Sequence, residues 1–146
     1  MPDQFSADQR SRVMRAVKSG DTTPEWIVRR LVHAMGYRYR LGGRGLPGRP
    51  DLVLPRLGKA IFVHGCFWHR HACRSGQSMP ASRVDYWQAK FARNVLRDRA
   101  NLRKLRRLGW SVLVVWECQT SQRKRAVLEQ RLRRFLEQRS APARSQ

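Results

Sequence analysis

Acidic side chains are scarce in this chain: 10 Asp plus Glu stand against 31 Lys plus Arg, a formal charge of +21 over 146 residues. That imbalance argues against a basic partner and makes a polyanion the expected one. Long apolar runs are missing too. No stretch approaches the roughly 20 residues of a membrane-spanning helix, and the first residues carry no apolar signal region. A membrane surface is therefore the weaker partner, and a cytoplasmic location is expected. Cysteine is limited to three residues, which cannot all pair within one chain. Clustered with histidine, they read as metal ligands in a reducing compartment rather than as a disulfide framework. There is no internal repeat, and the length suits one domain with a sizeable core.

What chemistry the chain does have is concentrated in Ala60 to Cys73, AIFVHGCFWHRHAC. An apolar run suited to a buried strand gives way to three histidines, two cysteines and the pair Phe67 and Trp68. Cys66, His71 and Cys73 offer soft thiolate and imidazole donors, and Cys118 in VWECQ can complete a Cys3His tetrahedron of the structural zinc type. His64 and His69 are then left for other work, or serve as satisfied polar neighbours of the metal. Phe67 and Trp68 would sit beside it, and exposed rings on a basic protein are a usual means of stacking on bases.

Around this stretch the pattern alternates helices and strands. Ser6 with Gln9 makes a capping box for a helix to about Lys18, with Arg10, Arg12 and Arg15 and few apolar residues. It reads equally as an arm that orders on DNA and as a solvated surface helix. Thr23 as N-cap and Pro24 open a second helix, with Glu25 in its first turn, Ile27, Leu31 and Met35 on one face and Gly36 as stop. Tyr37 to Leu41 reads as a strand and Gly42 to Pro50 as a loop. Asp51 begins a hairpin of DLVL and Lys59 to His64. Ser82 caps a long helix with Trp87, Phe91, Val95, Leu102 and Leu105 at helical spacing, its other face carrying Lys90, Arg93, Arg97, Arg99 and Arg103. Trp110 to Trp116 suits a strand buried on both faces, and Arg123 to Gln138 an amphipathic helix. The expected organisation is a basic arm over residues 1–20, a catalytic domain over 21–138 and a disordered tail over 139–146. The fold class is α/β, a small central sheet flanked by helices.

LPGRPDLVL, then IFVHGCFWHRHAC, then YWQAK with Asn94 and Asp98, then LGWSVLVVWEC resemble, in order and spacing, the very-short-patch repair endonucleases of bacteria. The resemblance runs from about Arg12 to Cys118. It implies a restriction-endonuclease-like fold with a mixed central sheet and a structural zinc site, and an enzyme that nicks double-stranded DNA 5′ of the T in T:G mismatches left by deamination of 5-methylcytosine. It further implies Mg2+ held by Asp51 and the backbone carbonyl of Val63, His69 as general base and His64 as a second active-site histidine. Glu25 and Asp98 become supporting acids, and Cys66, His71, Cys73 and Cys118 the Zn2+ ligands. Phe67, Trp68 and Trp87 become the rings that enter the DNA stack. The protein is expected to act as a monomer, with mismatch-repair proteins as further partners. Val63 stands where some relatives have Thr, which a backbone-carbonyl role tolerates and a hydroxyl role does not.

Each residue also has a plainer reading. Asp51 follows Pro50, where Asp is common as a turn residue. Trp87, on its helical spacing alone, is core more often than wedge. The rival functions are a zinc-stabilised DNA-binding module that does not cut, and a restriction or homing-type nuclease of the same fold. Metal-dependent nicking of a mismatched duplex separates the first, and comparison of T:G with matched duplexes the second.

Overall fold

The computed structural model describes residues 22–138, so the basic arm with its capping box at Ser6 and the tail from 139 lie outside the described residues. Helix α1 spans Thr23–Ala34. Its N-cap is Thr22, one residue before the expected Thr23: the Thr22 hydroxyl accepts from the Glu25 amide at 3.4 Å, and Gly36 ends the helix at φ 90°. Strand β1 is only Arg40–Leu41, shorter than the Tyr37 to Leu41 run. Leu52–Leu54 forms β2 and Lys59–His64 forms β3, the two arms of the expected hairpin. A one-turn helix α2 (Cys66–His69) follows directly. Helix α3 (Val84–Arg107) is entered through Arg83 in the left-handed conformation rather than capped by Ser82. Then come β4 (Ser111–Trp116), a 3-10 turn at Glu117–Thr120, and α4 (Arg125–Glu137).

The sheet runs β1-β2-β3-β4, with both β2 pairings antiparallel and β3 parallel to β4. A parallel pair needs a crossover, and the segment carrying α2 and α3 supplies it. β4 is an edge strand with only Val115 fully buried, so the expectation of a strand buried on both faces fails. Val28 and Val32 of α1 and Leu128, Leu132 and Leu136 of α4 pack with Leu52, Leu54, Ile61 and Val115 in one core. Ile27, Leu31 and Met35 flank that core instead of forming its centre. Alternation along β3 turns Phe62 and His64 the other way, towards α3. Gly48 lies there so close to Phe62 and Asn101 that a Cβ would meet both at 3.0–3.1 Å. Lys59, 1% exposed, reaches the end of α4 and donates to the carbonyls of Phe135 (2.5 Å), Leu136 (3.0 Å) and Gln138 (2.5 Å). Among the described residues no helix is long and apolar enough to cross a membrane.

Candidate active site

The ladder between β2 and β3 ends at Leu52 and Ile61, but β3 continues to His64 beside β4. Where β2 leaves, the Val63 amide donates instead to Asp51 Oδ2 at 2.6 Å. Burial raises the Asp51 carboxyl above the ordinary carboxylate range, while the Val63 N–H and the charges of His69 and Arg29 pull it back. Burial of this kind makes a carboxylate a ready partner for a cation. One residue beyond Val63, His64 turns inward, 7% exposed, its ring stacked on His69 with centroids 3.9 Å apart and planes 7° from parallel. His69, on α2, meets Asp98 of α3 through an Nδ1–Oδ2 contact of 2.5 Å. Burial and the neighbouring His69 push His64 down to about 3, so its ring is neutral at ordinary pH. Its buried Nδ1 has no hydrogen-bond partner among the described residues.

Glu25 and Arg29, one turn apart on α1, form an ion pair at 3.2 Å, both buried. The guanidinium also lies 5.1 Å from the centre of the Trp26 ring. Arg29 is a residue that sequence reasoning missed. Glu at i and Arg at i+4 is the ordinary pattern of a surface helix, and nothing in it signals burial.

Cys66, His71, Cys73 and Cys118 converge from α2, the loop after it and the turn after β4, with all their donor atoms within 4.8 Å of one another. His71 Nδ1 lies 3.5 Å from Cys118 Sγ and 3.8 Å from Cys66 Sγ. The Cys118 amide donates to Cys66 Sγ and the Gly76 amide to Cys73 Sγ, each at 3.4 Å, which are bonds suited to thiolates. Burial pushes the Cys66 thiol up to about 12, so an ion binding there must displace its proton. Burial and the charge of Lys124 lower His71 and keep a lone pair available. This set can hold a metal, and four soft donors suit one of zinc type. Glu117 accepts from the Cys66 amide at 3.4 Å and ties the turn after β4 to α2. His64, His69 and Asp98 also bring donor atoms within 4.8 Å. Their short mutual hydrogen bond already uses a donor atom of His69 and one of Asp98, and imidazoles do not suit a hard cation.

Trp116 joins the two centres. Its ring stacks on His71 at 4.3 Å and meets His64 edge-on at 5.2 Å. Read in the sequence as a strand residue alone, it is the second residue missed. Phe67, Trp68 and Trp87 do come together, half-buried, with Phe91: Phe67 lies 5.1 Å from Trp68, and Trp87 lies 6.0 Å from each. Lys90 covers Trp68 and Trp87, and Arg70 lies 4.1 Å from the Phe91 ring. Asn94, buried, donates to the Trp68 carbonyl at 3.1 Å and accepts from Arg97 at 2.6 Å. The elements carrying the Cys3His set, the His69–Asp98 pair and the rings are thus bound to one another.

The family model for the DNA mismatch endonuclease Vsr matches residues 2–75. The type II nicking enzyme V.XorIIP of Xanthomonas oryzae is 47% identical over 94% of this chain and 98% of its own length. The type II nicking enzyme V.NmeAIP of Neisseria meningitidis is 38% identical over 93% and 95%. The DNA mismatch endonuclease Vsr of Escherichia coli is 42% identical over 81% and 75%. A family match over half the chain, relatives aligned along nearly all of it, and a part-buried carboxylate and a histidine–aspartate pair in the matched motifs agree: the chain is a DNA endonuclease and belongs to the Vsr family.

Proposed function

We propose that this endonuclease nicks double-stranded DNA 5′ of the T in a T:G mismatch, by Mg2+-dependent hydrolysis on a restriction-endonuclease-like fold. The observation that carries it is Asp51 bonded to the Val63 amide where β2 and β3 part, with the next residue, His64, stacked on the His69 of the His69–Asp98 pair. Asp51 and the Val63 carbonyl would hold Mg2+, which when bound neutralises the phosphate and the leaving 3′ oxygen. Hard oxygen donors and a buried, charge-hungry carboxylate suit that ion.

The remaining work falls to the chain. Asp98 accepts the proton on His69 Nδ1, which leaves Nε2 with a lone pair to take a proton from the attacking water. His64, neutral and stacked on His69, holds that ring in plane and is the second active-site histidine. Glu25 supports the site from α1. Zn2+ on Cys66, His71, Cys73 and Cys118 would be structural, because four protein ligands leave no open position for water. Phe67, Trp68 and Trp87 are the rings that enter the stack beside the mismatch. The protein would act as a monomer. Incubating zinc-loaded enzyme with T:G and matched duplexes, with Mg2+ and with EDTA, tests the reading. Nicking confined to T:G with Mg2+ is expected; equal cutting of matched DNA, or cutting in EDTA, would contradict it.

A further inference from the structure

We propose that Trp116 is a positioning residue, which carries the orientation of the Cys3His centre through His64 to the imidazole of His69. The inference rests on the reading of His69 as the base that takes a proton from the attacking water. Four rings stand in series between the two centres. Trp116 is stacked on His71 with centroids 4.3 Å apart and planes 15° from parallel, and it meets His64 edge-on at 5.2 Å and 74°. His64 is stacked in turn on His69 at 3.9 Å and 7°.

The sheet puts the middle of this series together. Trp116 is the partner of His64 in the parallel ladder of β3 and β4, so both side chains leave the sheet on one face. Burial alone asks for no indole here, because Trp116 is half-buried at the end of an edge strand. His64 does need a wall. Its buried Nδ1 has no hydrogen-bond partner among the described residues, so no bond at that atom fixes the ring, and Phe62 at 5.4 Å, Trp116 and His69 fix it by packing. Aromatic pairs prefer particular angles, which an aliphatic side chain does not impose. At the other end, a His71 tied to a metal can no longer turn, and the indole stacked on it is held with it. The backbone of Trp116 is anchored separately: its amide donates to Gln119 Oε1 at 3.0 Å, and that oxygen accepts from Arg131 at 2.8 Å. Asp98 thus holds one edge of His69 at Nδ1, and the rings hold its face. A base aimed in this way loses rate, not substrate binding, when it is displaced.

The test compares zinc-loaded wild type, Trp116→Leu and Trp116→Phe by zinc content, by equilibrium binding of a T:G duplex in Ca2+, by nicking in Mg2+ and by the 15N signals of the His69 ring. Nicking is followed for one turnover, with enzyme and duplex equal and far above the dissociation constant, so that amplitude and rate constant are read separately. Trp116→Leu should keep its zinc and bind the duplex within about twofold of wild type, while its rate constant falls about tenfold or more and the His69 signals move. Trp116→Phe, which keeps a ring between His71 and His64, should cut within about threefold of the wild-type rate constant. A residue that only held the fold would lower zinc content and amplitude and leave the rate constant of the active fraction alone. That result would overturn the proposal, as would unmoved His69 signals in Trp116→Leu or a Trp116→Phe as slow as Trp116→Leu. If Trp116→Leu does not fold, Trp116→Met fills much of the space without a ring plane, and the same rate constant decides. His69→Ala separates the two levels: if it nicks at a rate near wild type, His69 is not the base and the underlying reading fails, whatever Trp116 does.

Discussion

Asp98 matters because it decides which nitrogen of His69 is free. Held at 2.5 Å from Nδ1, its carboxylate favours the tautomer with a basic Nε2, whereas an amide does so less strongly. Asp98→Asn should lower single-turnover nicking by about 10²- to 10⁴-fold and leave mismatch binding unchanged. Loss of binding in step with rate would make Asp98 a scaffold residue. His64 gives a second, pH-dependent prediction. Its folded pKa near 3 lies below the 6.5 it has when unfolded, so between those values the unfolded chain takes up a proton that the folded chain does not, and stability falls as pH falls. At about pH 5 the loss should be about 2 kcal/mol, and His64→Gln should flatten this part of the profile in denaturant unfolding of zinc-loaded protein. An unchanged slope would mean that His64 is protonated in the folded state. Asp51 and His69 were legible in the sequence because their motifs carry them. Arg29 and Trp116 were not, because their roles depend on which neighbours folding brings: Arg29 follows a surface-helix pattern, and Trp116 ends an ordinary apolar strand.

Between elements, the Cys3His set would work as a bolt once it holds a metal. α2, the loop holding His71 and Cys73, and the turn after β4 meet there, at Trp116 and at the Glu117–Cys66 bond, and Gly76 lies so near the His71 carbonyl that a Cβ would fall 1.9 Å from it. Cys73→Ser should therefore lose metal and much of the fold together; a stable Cys73→Ser protein with full nicking activity would refute that. The end of α4 rests on Lys59. Removing its three hydrogen bonds to backbone carbonyls leaves buried acceptors unmet, so Lys59→Met should cost about 2–3 kcal/mol in unfolding free energy, with the zinc content unchanged. Spacing made α4 itself readable through Leu128, Leu132 and Leu136, but its cap is a strand residue 76 to 79 positions earlier, beyond any local pattern. The same limit applies to β4: a continuous apolar run looks alike at the edge and at the centre of a sheet, and only strand order tells them apart. Arg83 shows the converse. A nearby serine looks like a cap, yet the chain enters α3 through a left-handed arginine whose guanidinium lies 4.7 Å from the Tyr86 ring.

For the molecule as a whole, charge and closure act together. The exposed Arg93, Arg97, Arg99, Arg103, Arg106 and Arg107 give α3 a positively charged surface that would suit phosphates. Each phosphate contact should contribute about −0.9 to the slope of log K against log salt, and a slope worth fewer than about two contacts would mean that this charge is not the binding surface. The rings pack against one another, so in the proposed stacking role they would trade Phe67–Trp68–Trp87 contacts for contacts with bases. Trp68→Ala should accordingly weaken T:G binding by about 1–3 kcal/mol and lower discrimination against matched DNA. Cutting and holding are thus assigned to different side chains on neighbouring elements, and Asp51 is where that division is tested most directly. The measurement pairs equilibrium binding of a T:G duplex in Ca2+ or EDTA with single-turnover nicking in Mg2+, for wild type and Asp51→Ala. The account predicts near-wild-type binding and no Mg2+-dependent nicking by the variant; nicking at a rate near wild type would make Asp51 a turn residue and the proposed active site wrong.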